Sequence, residues 1–135
     1  MKGGTALNLF VQDLPRLSVD IDVVFINHQV DRDNALKEIA QELQRIDAAI
    51  AVMGYETRTR KVHGGDEVKL DIFSAEAEVK VEVNFVFRGT VLPIETRSLS
   101  EKTQALFSKN IQVPVLSPSE LYGSKLVAAM DRQHP

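Results

Sequence analysis

Two aspartates, Asp20 and Asp22, sit two residues apart inside the otherwise apolar, β-branched run Arg16-Leu17-Ser18-Val19-Asp20-Ile21-Asp22-Val23-Val24-Phe25. A strand repeats its side-chain direction every second residue. The run therefore predicts both carboxylates on one face and Val19, Ile21 and Val23 on the other, toward a core. Neighbouring carboxylates repel at neutral pH, and a cation between them relieves that cost. Hard oxygen donors suit magnesium or manganese. The pattern also fits an edge strand with one solvated face, and the residues before it weigh toward metal chemistry. Gly3-Gly4-Thr5 runs into Ala6-Leu7-Asn8-Leu9-Phe10, which reads as a tight turn opening a short helix with Thr5 as N-cap. Glycines let a phosphate approach the backbone, and a helix start offers free N–H groups and a positive dipole end. A Gly-Gly dipeptide alone is more often a plain turn. Ahead of a same-face Asp pair, it becomes the triphosphate half of a constellation whose metal half is the pair.

A third carboxylate lies where such a site needs one. The run Val79-Lys80-Val81-Glu82-Val83-Asn84-Phe85-Val86-Phe87 alternates, with the valines at 79, 81 and 83 and both phenylalanines on a buried face. Lys80, Glu82 and Asn84 share the other face. Beside the Asp strand, Glu82 would complete a three-carboxylate cage and Lys80 would meet phosphate. Taken alone, this segment fits an ordinary half-exposed strand with a Lys/Glu pair better than a metal cage.

The remaining segments position these residues. From Asp31 to Met53, Leu36, Ile39, Leu43, Ile46, Ile50 and Met53 recur every three or four residues, the stripe of an amphipathic helix facing a core. Asp31 or Asp33 can cap its start and Gly54 fits just past its end. Tyr55 to Val62 reads as a strand, His63-Gly64-Gly65-Asp66 as a turn, Val68 to Ile72 as a strand, and Ser74 to Glu76 as the turn into the Glu82 strand. Arg88 to Pro114 reads as a looser region with a short helix from Glu101 to Lys109. Ser117-Pro118-Ser119-Glu120 is a capping box with proline at the first helical position. That last helix carries Leu121, Lys125, Ala128 and Arg132 along one side. His28 follows Asp22 by six residues, while His63 and His134 read as turn and tail.

Composition bounds the function. The chain has 135 residues, 44% hydrophobic and 26% charged, which suits one globular domain with a real core. There is no cysteine, which rules out a disulfide framework, a thiolate zinc site or a cysteine nucleophile. No apolar run approaches the ~20 residues that span a bilayer, and no signal-peptide core opens the chain, so a cytoplasmic protein without membrane contact is expected. The net charge of −3 does not mark the whole surface for nucleic acid. One basic stretch, Arg58, Arg60, Lys61 and His63, can meet an RNA backbone or lie on a solvated hairpin.

Gly3-Gly4-Thr5-Ala6-Leu7, Arg16-x-Ser18-x-Asp20-Ile21-Asp22, Lys80-Val81-Glu82 and Glu120-Leu121-x-x-x-Lys125-Leu126-x-Ala128 occur in the order found in AbiEii/AbiGii toxins, a family the chain resembles over nearly its whole length. These are nucleotidyltransferase-like proteins of bacterial abortive-infection and type IV toxin–antitoxin systems, within the DNA polymerase beta superfamily. The resemblance implies an α/β (α+β) nucleotidyltransferase core, a mixed β-sheet with helices packed on it. It implies Mg2+ (or Mn2+) on Asp20, Asp22 and Glu82, nucleotide contacts from Gly3, Gly4, Thr5, Ser18, Lys80 and Lys125, and catalytic roles for Asp20, Asp22, Glu82 and Lys125. The implied reaction moves a nucleotidyl group from a nucleoside triphosphate to an acceptor hydroxyl, with tRNA as acceptor and an antitoxin as protein partner. Members usually extend before the Gly-Gly turn and past the Lys-bearing helix into an Arg-Asp-x-x-Asp segment. By that comparison, residues 1–135 are a single nucleotidyltransferase-like domain read as a fragment. Two other readings stay open. One is a catalytically incomplete nucleotide-binding module, and the other is a transferase acting on a small molecule or protein.

Overall fold

The computed structural model describes residues 1–16, 20–61, 67–84 and 88–131. The chain groups into two compact units, residues 19–89 and residues 1–18 with 90–135.

The first of these holds a four-stranded sheet under a long helix. Its elements are β1 (Asp20–Val24), α2 (Arg32–Val52), β2 (Glu56–Lys61), β3 (Glu67–Phe73) and β4 (Glu78–Asn84), after the short α1 (Gly3–Ala6) of the other unit. The strand order is β1-β4-β3-β2, with β1 parallel to β4 and the other pairs antiparallel. α2 carries the chain from β1 to β2 at the far edge of the sheet, and the antiparallel run β2–β3–β4 then lays β4 parallel beside β1. Alternation then sorts the side chains. Ile21 and Val23 of β1, Val81 and Val83 of β4, and Leu70 and Ile72 of β3 face α2, which packs Leu36, Ile39 and Leu43 against the sheet. Leu70 is fully buried there, and burying a side chain of that size is worth about 1.5–3 kcal/mol.

Local chemistry matches the predicted boundaries. Asp31 caps α2 by accepting the Asn34 backbone N–H at 3.0 Å, and this bond holds its carboxyl below the usual range. The apolar stripe of α2 runs on past its partner: Ile46 is 39% and Met53 68% exposed. A 21-residue helix spans about 31 Å, longer than any strand beneath it. Thr57 on β2 donates its hydroxyl to Asp47 and ties that end down. Ser74 closes the β3–β4 turn, its Oγ accepting the Ala77 N–H at 3.0 Å. The predicted turn at 63–66, and residues 85–87, lie outside the described residues.

In the other unit, α1 continues directly into a π-helical turn, Leu7–Val11, followed later by β5 (Glu95–Ser98), α3 (Glu101–Phe107), β6 (Gln112–Val115) and α4 (Pro118–Asp131). Ala6, Leu7, Phe10, Leu99, Val115, Leu116 and Leu121 are its buried apolar residues. Backbone bonds fasten the helical start to the later chain, from Ser100 N–H to Leu9 O at 2.8 Å and from Leu116 N–H to Met1 O at 3.0 Å. Asp13 accepts the Lys102 backbone N–H and meets its ammonium at 3.2 Å, and both hold the carboxyl below its usual range.

Three expectations are corrected here. The helix opens at Gly3, with Lys2 at the cap, so Thr5 lies buried within the first turn and is not the N-cap. The region read as loose contains an antiparallel β5–β6 ladder. Ser117 Oγ does accept the Glu120 N–H, but the Glu120 carboxylate does not reach back to complete a capping box. It accepts instead the backbone N–H groups of Val91 and Leu92, each at 3.1 Å. Among the described residues, no helix is long and apolar enough to cross a membrane.

Candidate active site

The face of the four-stranded sheet opposite α2 is built from charge. Strand register lines up two rows across it. One runs Arg58, Asp71, Lys80, Asp20 and the next runs Arg60, Lys69, Glu82, Asp22, from β2 through β3 and β4 to β1. Period-two alternation makes this unavoidable once Leu70, Val81 and Ile21 are committed to the core.

Four predicted site residues thereby come together. Asp20 is the register partner of Lys80 and Asp22 that of Glu82, on neighbouring parallel strands whose backbones lie about 4.8 Å apart. Glu82 is engaged on its other side, where Lys69 Nζ lies 2.6 Å from its Oε1, both side chains being about one-third exposed. Lys80 reaches Glu78 only at 3.9 Å. Asp71, in the row with Asp20, is buried at 2% exposure and meets Arg60 Nε at 2.7 Å. The Arg58 guanidinium stands over the Phe73 ring, 5.6 Å from its centroid.

Three carboxylates are the hard-oxygen set that a divalent ion takes, and the register puts all three on one face. In the conformation described, with Glu82 bonded to Lys69, no group of three His, Asp or Glu among the described residues is arranged to hold a metal. Asp20, Asp22 and Glu82 fit such an ion in kind and in strand position.

The remaining predicted nucleotide contacts, Gly3, Gly4, Thr5, Ser18 and Lys125, belong to the other unit. Gly3, Gly4 and Thr5 form the first turn of the helical start. One turn further, the Asn8 side chain is buried and its Nδ2 has no hydrogen-bond partner. Lys125 is exposed midway along α4. Ser18, Arg132 and His134 lie outside the described residues. His28 sits in the loop after β1, against Gly89, whose N–H donates to Phe25 O at 2.8 Å.

Sequence reasoning missed Lys69, Asp71 and Arg60 as members of the charged face. The alternation of Lys69 and Asp71 with Leu70 and Ile72 was a usable signal, but only the register shows which charges they meet.

A mixed α+β sheet of this kind, with paired carboxylates on β1 beside a third on a parallel neighbour, is consistent with a nucleotidyltransferase-type fold. The chain belongs to the nucleotidyl transferase AbiEii toxin family of type IV toxin–antitoxin systems, whose family model matches residues 1–135. A nucleotide substrate and an antitoxin partner come with that membership. Comparison with curated proteins and with solved structures finds no match.

Proposed function

We propose that the protein transfers a nucleotidyl group from a nucleoside triphosphate to an acceptor hydroxyl on RNA, in particular the 3′ end of tRNA, and that this is its toxic activity. The observation that carries the reading is the parallel β1–β4 register, with Asp22 beside Glu82 and Asp20 beside Lys80 on one face. Asp20, Asp22 and Glu82 are the residues that would hold magnesium or manganese. A divalent ion there supplies charge stabilisation at the phosphate oxygens and acidifies the attacking hydroxyl.

The chain's own groups take the other roles. The acceptor oxygen attacks the α-phosphorus, the bond to pyrophosphate breaks, and the hydroxyl proton passes to a carboxylate, the role we assign to Glu82. Lys80, next to Asp20, offers its ammonium to the departing phosphates. Gly3, Gly4, Thr5, Ser18 and Lys125 are assigned to the nucleotide on the family resemblance alone.

Incubation with each labelled triphosphate and a mixed RNA pool tests the reading. Label should enter tRNA-sized RNA with the wild type and not with Asp20→Asn. Transfer that survives Asp20→Asn sinks the mechanism, and label on protein or small molecules sinks the acceptor.

A further inference from the structure

We propose that Lys69 is a positioning residue whose ammonium occupies Glu82 as a resident counter-cation until a divalent ion displaces it. The proposal deepens the reading above and rests on the metal role given to Asp20, Asp22 and Glu82.

The argument starts from the second charged row, Arg60, Lys69, Glu82, Asp22. Two carboxylate residues, Glu82 and Asp22, are register partners at its β4–β1 end, where like charges on adjacent strands are costly. Lys69 enters from β3, on the opposite side of Glu82, and bonds its Oε1 at 2.6 Å. The two side chains are 28% and 33% exposed, so water screens their attraction less than it would on an open surface.

The pair therefore orders Glu82 and balances its charge while the carboxylates hold no metal. The same bond occupies one of the two oxygens that Glu82 could give a metal, so the ammonium competes with the ion for this carboxylate. Binding a divalent ion then exchanges one cation for another at Glu82, and the displaced ammonium remains beside the site. A lysine suits an exchangeable partner, because its compact ammonium on a flexible stem makes single, rotatable bonds. An arginine fork would grip both carboxylate oxygens.

Magnesium titration of the whole chain by calorimetry, in a series of Lys69 variants, tests the exchange. Lys69→Met removes the competing cation and should bind magnesium about tenfold tighter at low ionic strength, a gain that shrinks with added salt. Lys69→Arg should bind more weakly than wild type. In EDTA, Lys69→Met should melt below the wild type, and saturating magnesium should close that gap. A purely structural lysine would lower stability with and without metal alike, and would not order metal affinity as Met, Lys, Arg. Should Lys69→Met fail to fold, Lys69→Gln keeps a hydrogen-bond donor without charge and must shift affinity in the same direction. Equal or weaker magnesium binding by the uncharged variants overturns the proposal while the metal site stands. Magnesium binding that is absent from the wild type, or unchanged by Asp20→Asn, overturns the metal site and this proposal together.

Discussion

Replacing Arg60 by alanine strips the partner from a carboxylate with almost no access to water. The Asp71 side chain is 3% exposed, and that of Arg60, 2.7 Å away, is 53% exposed. Oδ2, the oxygen that Arg60 approaches, accepts no hydrogen bond, so its compensation is electrostatic. Removing one member of a fully buried pair costs about 3–5 kcal/mol, and an exposed pair contributes about 0–1 kcal/mol. A half-exposed guanidinium on a buried carboxylate lies between, so Arg60→Ala should cost about 2 kcal/mol. Arg58 and Lys80, register neighbours of Asp71 on β2 and β4, add positive charge and hold the cost below the buried limit. Asp71→Asn removes the charge and leaves Arg60 in water, at about 1 kcal/mol. In that background Arg60→Ala should cost no more than about 0.5 kcal/mol, a coupling of roughly 1.5 kcal/mol. Urea unfolding at neutral pH, followed by far-UV circular dichroism with a common slope, measures all four proteins. An Arg60→Ala cost that is the same with and without the Asp71 carboxylate would refute the reasoning.

Two further predictions concern the backbone and the acid limb. Gly89 and Gly54 have φ of +86° and +84°; a Cβ at Gly89 meets His28 Cβ at 3.0 Å, and one at Gly54 meets nothing within 4 Å. Left-handed strain of about 1–2 kcal/mol is common to both, so Gly89→Ala should lose more stability than Gly54→Ala in the same urea assay. Equal losses would show that His28 yields without cost. Asp13 and Asp31 both lie below the ordinary value of 3.8 in the folded protein, each held there first by a backbone N–H. Their charged forms are favoured by folding. That contribution is present above 3.8 and is lost as pH falls through the lowered values. Asp13→Asn/Asp31→Asn should therefore lose less stability than wild type between about pH 5 and pH 1, and identical acid limbs would contradict the assignment.

Periodicity carried most of the four-stranded unit. The alternation through Asp20 and Glu82, the Asp31 cap and the Ser117-Pro118 helix start are local patterns, and the structure forms them where local chemistry puts them. What failed was non-local. β5 and β6 are four residues each, one polar and one interrupted by Pro114, so neither shows a strand pattern until the two are paired. Glu120 satisfies its own cap rule in sequence, yet spends its carboxylate on the Val91 and Leu92 amides, 29 and 28 residues away. The α2 stripe predicts the helix but not which of its apolar residues are covered, since Ile46 and Met53 stay exposed. For the site, a period of two put Asp20 with Asp22, but which strand lies beside them is a matter of topology. That is why Glu82 was placed only conditionally and Lys69 not at all.

Calorimetric titration with each nucleoside triphosphate, in magnesium and in EDTA, comparing wild type with Asp20→Asn/Asp22→Asn, tests the central claim most directly. The account predicts binding by the wild type that requires magnesium and is lost in the double variant. Triphosphate binding that ignores the metal, or that survives loss of both aspartates, would contradict it.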